Sequence, residues 1–310
     1  MTLDQPHRSH PRYPAGVTSI QANGITIEYE EQGSGEPLLL IMGLGAQLID
    51  WPQDFVDMLV AKGFRVIRYD NRDAGLSTEF TSAPPTLRQM AMAALFRRRP
   101  KAEYTLDEMA DDAAGLLDAL GIECAHVVGA SMGGMIAQAL TINHPAKVCS
   151  LTSIMSMTGN RRHGQPKPSL LVKGARLPER TIHTAHEVGA EMWRLTAGPS
   201  YDPVEAQRMT EASIARSFRP AGNGRQTAAI LASPDRTAGL RQVRVPTLVV
   251  HGMVDPLVRP SGGIATARAV PNSRLLLFND MGHDMPTHRR PEIVDAIAAN
   301  AARASERVPQ

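Results

Sequence analysis

One short stretch constrains the fold of this chain more than any other: Gly-Ala-Ser-Met-Gly at residues 129–133, centred on Ser131. The apolar run 125–128 before it is typical of a buried strand, and residues 132–139 after it have helical spacing. A serine at the tip of a strained strand-to-helix turn needs small neighbours two residues away on each side. The pentapeptide alone also arises by chance, but its context predicts that Ser131 stands exposed at the start of a helix.

Two strands near the end of the sequence bring a carboxylate and a histidine to the same place. The apolar segment 246–252 is followed by Asp255, and the segment 274–278 is followed by His283. Because the carboxyl ends of parallel strands share one edge of a sheet, we expect both side chains beside Ser131. A serine needs a base to attack an ester at neutral pH, and a carboxylate orients that base. We therefore predict a catalytic triad with Ser131 as nucleophile, His283 as base and Asp255 as the carboxylate that orients the base.

The oxyanion that forms on attack needs two hydrogen-bond donors. The backbone N–H of Met132 comes from the turn itself. The second donor is expected in the glycine-containing loop that follows the strand 37–42, and we assign it to Leu44 with Gly43 as the alternative.

Other histidines and aspartates compete for these roles. Asp280 and Asp284 flank the predicted base too tightly to reach its far nitrogen. His126 and His251 fall in predicted strands, and His288 does not follow a strand and glycine turn. The remaining histidines lie in the N-terminal segment, at a helix end or in an insertion: His7, His10, His144, His163, His183 and His186.

Strands and helices alternate along most of the chain. A hairpin with Asn23-Gly24 at its turn opens the sheet, and a capping box at 105–108 opens a helix through Leu120. The strand 37–42 is apolar without alternation, as expected where helices cover both faces. The polar loop 70–77 is expected to tie neighbouring loops together by hydrogen bonds rather than to take part in catalysis.

The alternation stops at residues 156–242, which carry no strand pattern. Helices are predicted there at 179–196, 204–217 and around 226–231. We predict an α/β fold with a mostly parallel twisted sheet flanked by helices, formed by residues 1–155 and 243–310. The interruption is predicted to be a helical cap over the edge of the sheet where ligands bind.

The composition of the chain limits the classes of binding partner that we expect. The chain has 33 basic and 31 acidic residues, so its net charge of +2 favours neither nucleic acid nor an anionic membrane as a partner. The apolar run 38–42 is too short to span a bilayer, and the polar segment 1–14 lacks the apolar stretch of a signal peptide. These features predict a cytoplasmic protein. Cys124 and Cys149 are expected to be free, buried thiols rather than a disulfide, and no metal-ligand spacing is present.

These motifs carry a resemblance to a known family. Residues 129–134, 69–77, 251–256 and 281–283 are similar to those of α/β-hydrolase-fold serine hydrolases, and the likeness extends from about residue 16 to residue 304. In finer detail, residues 68–77 and 41–43 resemble the aclacinomycin methylesterase branch and related bacterial carboxylesterases. The chain departs from many members in having Met42 before Gly43, where they have histidine.

The resemblance implies ester hydrolysis with Ser131, Asp255 and His283 as the triad. Together with the residues it predicts a cofactor-independent carboxylic ester hydrolase acting on small to medium esters. A lactonase or perhydrolase with the same triad, or a ligand-binding receptor on the same fold, are the alternatives. A homodimer is left open as the quaternary state.

Overall fold

The sheet begins as an antiparallel hairpin and continues as parallel strands. A computed structural model describes residues 18–86, 89 and 99–305, and within these ranges eight strands form one sheet. The predicted absence of a signal peptide at 1–14 concerns residues outside these ranges. The strands are β1 (Thr18–Ala22), β2 (Ile25–Gln32), β3 (Glu36–Ile41), β4 (Phe64–Tyr69), β5 (Ala125–Ala130), β6 (Val148–Ile154), β7 (Thr247–Gly252) and β8 (Arg274–Phe278).

The strand order is β1-β2-β4-β3-β5-β6-β7-β8. Strand β2 pairs antiparallel with β1 and β4, and the other neighbouring pairs of this sheet are parallel. The register pairs Ile41 with Gly129 and Ala130 with Ile154, which brings the loops after β3, β5 and β6 to one edge. This mostly parallel sheet flanked by helices is the predicted fold class.

Helices cover both faces of the sheet. Helices α1 (Gln53–Ala61) and α10 (Arg290–Ser305) pack on one face, and α2 (Leu106–Ala119) and α3 (Met132–Asn143) pack on the other. Strand β3 lacks alternation because helices cover both of its faces. Leu38 and Leu40 face the first pair of helices, while Leu39 and Ile41 face the second. All four side chains are fully buried.

The capping box predicted for α2 is confirmed. The Thr105 hydroxyl accepts from the N–H of Asp107, and the carboxylate of Glu108 accepts from the N–H of Thr105 at 2.8 Å. These bonds satisfy N–H groups that have no partner inside the helix.

Helices without strands fill the described chain between β6 and β7, where the cap is predicted. Three helices were not predicted: α4 (Pro168–Gly174) and α8 (Thr237–Leu240) in this stretch, and α9 (Ser261–Ala269) between β7 and β8. Helix α9 contains Gly262, Gly263 and small alanines, so it shows little apolar periodicity. None of the described helices is long and apolar enough to cross a bilayer. In the described chain, the helices between β6 and β7 are α4 (Pro168–Gly174), α5 (Ala185–Thr196), α6 (Pro203–Arg216), α7 (Pro220–Ala232) and α8 (Thr237–Leu240).

The prediction of free cysteines is wrong, because Cys124 and Cys149 form a disulfide. The physical reason is a β-bulge: Ala125 pairs with Val148 but His126 pairs with Ser150, so Cys149 is an extra residue in β6. The bulge sets the two Cα atoms 5.7 Å apart, within the usual range for a disulfide. Both cysteines are also half-buried rather than buried.

Candidate active site

Ser131 occupies a strained turn between β5 and α3. Its φ of 57° and ψ of −119° lie in a region that non-glycine residues rarely adopt. The turn is tight on both sides, since a Cβ at Gly129 would overlap the carbonyl of Gly133, and one at Gly133 would overlap the carbonyl of Ile41. The N–H of Ser131 donates to the carbonyl of Ile154 at 2.9 Å, which fixes the turn to β6. The small residues at 129 and 133 are therefore required by the packing of the turn.

The structure brings Ser131, His283 and Asp255 together. His283 Nε2 lies 2.9 Å from Ser131 Oγ, and His283 Nδ1 lies 2.7 Å from Asp255 Oδ2. A carboxylate only accepts hydrogen bonds, so Nδ1 carries the proton and Nε2 is free to accept from the serine hydroxyl. The His283 side chain is 11% exposed, and Asp255 is fully buried. The arrangement can move a proton from the serine to the imidazole.

Asp255 is held by its own turn. Its Oδ1 accepts from the N–H groups of Leu257 at 2.8 Å and Val258 at 2.9 Å, while Oδ2 faces His283. Hydrogen bonds to the charged form stabilise a buried carboxylate. The backbone of the histidine is anchored too, because its N–H donates to the carbonyl of Thr196 at 2.8 Å.

The loop after β3 lies against the serine. A Cβ at Gly43 would come within 3.1 Å of Ser131 Cβ, so the backbone of this loop borders Ser131. Met132 is the first residue of α3, and its N–H has no acceptor inside that helix. In the described part of the chain, no acceptor is found for the N–H of Leu44 or of Gly43, whereas the N–H of Gly45 donates to Gln226. Leu44 and Gly43 therefore both stay candidates for the second donor.

Hydrogen bonds from the loop 70–77 support the loop after β3, as the sequence predicts. Buried Asp70 accepts from the N–H of Leu48 at 2.7 Å and from the N–H of Leu76 at 2.8 Å. The amide of Asn71 donates to the carbonyl of Met42 at 2.9 Å. This polar loop therefore positions the backbone beside Ser131.

Helix α7 connects the cap region to both loops, a feature that the sequence analysis did not predict. Gln226 is fully buried, accepts from Gly45 N–H and donates to the carbonyl of Arg72, each at 2.7 Å. Arg225 forms two 2.8 Å bonds to the carboxylate of buried Asp73. The only sequence signal for these contacts is a pair of long polar residues within a helix of small residues.

Asp280, Asp284 and His288 have other partners. Asp280 binds His288 and Arg289, and hydrogen bonds from these partners lower its pKa to about 2. Asp284 accepts from the N–H groups of Gly198 and Gly282, although burial raises its pKa.

One rejected histidine does lie beside the site. His251 is fully buried, its Nε2 is 2.7 Å from the carbonyl oxygen of Val258 and 3.7 Å from Asp255 Oδ2. Burial lowers the pKa of His251, which keeps the ring neutral. Its spacing of four residues before Asp255 is the signal that could have drawn attention to it.

The sequence model of the alpha/beta hydrolase fold family matches residues 36–286, most of the chain. The chain belongs to this family. Among curated relatives, rhodomycin D methylesterase from Streptomyces sp. (strain C5) is 30% identical over 295 residues, covering 87% of this α/β hydrolase and 92% of the relative. The rhodomycin D methylesterase of Streptomyces peucetius is 29% identical over 292 residues, with the same coverage. These relatives support a hydrolase of the esterase type.

More distant proteins extend the comparison. The 2-hydroxymuconate semialdehyde hydrolase of Pseudomonas sp. (strain CF600) is 29% identical over 275 residues, covering 85% of this α/β hydrolase and 86% of the relative. A solved thermophilic esterase from Thermogutta terrifontis has a TM-score of 0.71 at 24% identity, covering 94% of this chain and 99% of the esterase. At that identity the structural likeness supports the fold alone.

Proposed function

We propose that this α/β hydrolase is a carboxylic ester hydrolase that forms an acyl-enzyme on Ser131. The proposal rests on the chain of hydrogen bonds from Ser131 Oγ through His283 to Asp255, at 2.9 and 2.7 Å. This geometry meets the need of a weak serine nucleophile for an oriented base. The methylesterase relatives agree with it.

In the proposed reaction, Ser131 Oγ attacks the ester carbonyl carbon while His283 Nε2 takes the hydroxyl proton. Asp255 stabilises the imidazolium that results. The carbonyl oxygen becomes an oxyanion, which accepts from the N–H groups of Met132 and Leu44; each such donor lowers the barrier by about 3 kcal/mol. When the tetrahedral intermediate collapses, the alcohol leaves with the proton from His283.

The second half of the reaction regenerates the serine. His283 takes a proton from a water molecule, whose oxygen attacks the acyl carbon, and the acid leaves as Ser131 recovers its proton. Every step uses groups of this chain, so the proposal includes no cofactor. The proposed substrates are small to medium esters, with methyl esters the first to test because two relatives are named methylesterases. Cytoplasmic localisation stays a prediction, and the Cys124–Cys149 disulfide weighs against it because disulfides are rare in reducing compartments.

Hydrolysis of a p-nitrophenyl ester series from acetyl to palmitoyl, and of methyl benzoate, tests the proposal. We expect turnover by the parent, and a loss of roughly 10⁴–10⁶-fold in kcat for Ser131→Ala and for His283→Ala. A fluorophosphonate probe should label the parent at Ser131 and leave Ser131→Ala unlabelled. A folded parent that neither hydrolyses esters nor reacts with the probe would refute the proposal, and assays with lactones and with peracid formation would then follow.

A further inference from the structure

Helix α4 presents apolar side chains to solvent. Leu170 packs inward, with 6% of its surface exposed, whereas Leu171 and Val172 are 58% and 54% exposed. At 3.6 residues per turn, these two lie about 100° and 160° around the helix axis from Leu170. A surface helix of a globular protein ordinarily turns its apolar stripe toward the core. Helix α4 therefore has a second apolar face that the fold does not bury.

Basic residues precede and follow this helix in the sequence. Residues 156–178 contain five Lys or Arg and no Asp or Glu. All five side chains are exposed, and no carboxylate among the described residues lies within ion-pair distance of them. A longer-range attraction links Lys173 to Glu191, whose carboxylate is paired with Arg194. They are Arg161, Arg162, Lys167, Lys173 and Arg176. The segment is thus locally cationic in a chain whose overall charge is only +2.

The start of α4 is fixed next to the candidate active site. The N–H of Lys167 donates to the carbonyl of Pro256 at 2.8 Å, and Pro256 directly follows Asp255. A second hydrogen bond holds the same segment, because Arg259 Nε donates to the carbonyl of Gln165 at 2.7 Å. Helix α4 therefore begins beside the turn that carries Asp255.

We propose that α4 and the five cations dock this protein on an anionic lipid surface, with Leu171 and Val172 inserted among the headgroups. An apolar face flanked by Lys and Arg is the pattern of helices that lie in a membrane interface. Basic side chains add electrostatic attraction to anionic lipid. Charges elsewhere on the protein, farther away than a Debye length, are screened by salt, so the near-neutral total charge does not cancel this attraction. A second copy of the chain is a poorer occupant, because two such cationic patches would repel each other. The proposal does not depend on the chemistry at Ser131.

Sedimentation with vesicles tests this docking. Binding is measured to phosphatidylcholine vesicles and to vesicles of an equimolar mixture of phosphatidylcholine and phosphatidylglycerol, at low and high salt. We expect binding to the mixed vesicles only, reversed by salt. Reversing three cations, in Lys167→Glu/Lys173→Glu/Arg176→Glu, should weaken the partition by about 100-fold. The pair Leu171→Gln/Val172→Gln should weaken it by about tenfold, because both inserted apolar side chains are lost. Glutamine keeps the helix propensity, so α4 itself should persist.

A matched control reverses three exposed arginines elsewhere: Arg241→Glu/Arg268→Glu/Arg274→Glu should change binding much less than the α4 triple variant, although both lose the same charge. Equal losses in the two triple variants would overturn the proposal, as would equal binding to neutral vesicles or no binding at low salt. Dimerisation without vesicles that disappears in Leu171→Gln/Val172→Gln would assign the face to a second copy instead. Ser131→Ala should bind vesicles as the parent does, which separates docking from catalysis.

Discussion

The buried imidazole of His251 lies 3.7 Å from the carboxylate oxygen of Asp255 that holds His283. His251 Nε2 donates to the carbonyl of Val258 at 2.7 Å, and the N–H of Val258 in turn donates to Asp255. His251 therefore stabilises the turn that positions the acid. A side chain that sequence reasoning assigned to the interior of a strand is part of the support for the site.

The first prediction concerns the pH dependence of stability. Burial lowers the pKa of His251 below 6.5, so the unfolded chain binds this proton more readily than the folded one. Stability is therefore fully present above pH 6.5 and falls as the pH drops from there toward the lower folded pKa. In His251→Phe this part of the decline should be absent, and the lost bond to Val258 should cost about 1–3 kcal/mol at neutral pH.

Urea unfolding at a series of pH values measures both effects. His183→Phe is the matched control, since it removes an exposed histidine of the cap region. The control should retain the acid decline of the parent. If His251→Phe declines with acid as steeply as the parent does, His251 does not contribute to this pH dependence.

The meeting of Ser131, Asp255 and His283 could be predicted from the sequence because each residue follows directly from a strand end. Parallel strands place their carboxyl ends at one edge, so Ser131 after β5, Asp255 after β7 and His283 after β8 needed no long-range information. The contacts of helix α7 could not be predicted in this way. Nothing local in the sequence indicates that Arg225 meets Asp73, because such a pair depends on how two distant segments pack.

The second prediction concerns the disulfide. Cys124 and Cys149 are 25 residues apart and enclose β5, Ser131 and α3. Closing a loop of this length stabilises the folded state by about 3 kcal/mol relative to the open chain. Cys124→Ser/Cys149→Ser should therefore unfold at a lower temperature, and a reductant should lower the unfolding temperature of the parent but not of the variant. Two thiols that titrate in the native, unreduced protein would contradict the disulfide.

This pairing was missed for a structural reason. Regular strand alternation gives no indication that an extra residue at Cys149 turns its side chain toward Cys124, and only the register of β5 against β6 reveals the bulge. The exposed face of α4 was missed for another reason. Total charge averages over the whole chain, whereas a surface patch depends on the charges of a single segment.

The third prediction concerns the buried ion pair between Asp73 and Arg225. Their side chains are 0% and 3% exposed, so removing one charge leaves the other in a poorly solvated place. Asp73→Asn should lower the free energy of unfolding by about 3–5 kcal/mol. Asparagine also tolerates the φ of 68° at this position, so the loss reports the charge rather than backbone strain.

The exposed pair between Glu31 and Arg65 provides the control for that measurement. These side chains are 28% and 33% exposed, and Glu31→Gln should cost less than about 1 kcal/mol. Chemical denaturation of the two variants compares them directly. Similar costs would mean that burial does not strengthen the dependence of Arg225 on Asp73.

The last prediction separates strain from catalysis at Ser131. A φ of 57° with a ψ of −119° costs a non-glycine residue about 1–3 kcal/mol, and glycine avoids most of that cost. Ser131→Gly and Ser131→Ala both remove the hydroxyl, so both should lose ester hydrolysis. Only Ser131→Gly should relieve the strain, and it should be more stable than Ser131→Ala by about 1 kcal/mol after the larger backbone entropy of glycine is counted. Thermal unfolding of the two inactive variants makes the comparison. An alanine variant as stable as the glycine variant would show that the turn holds Ser131 without measurable strain.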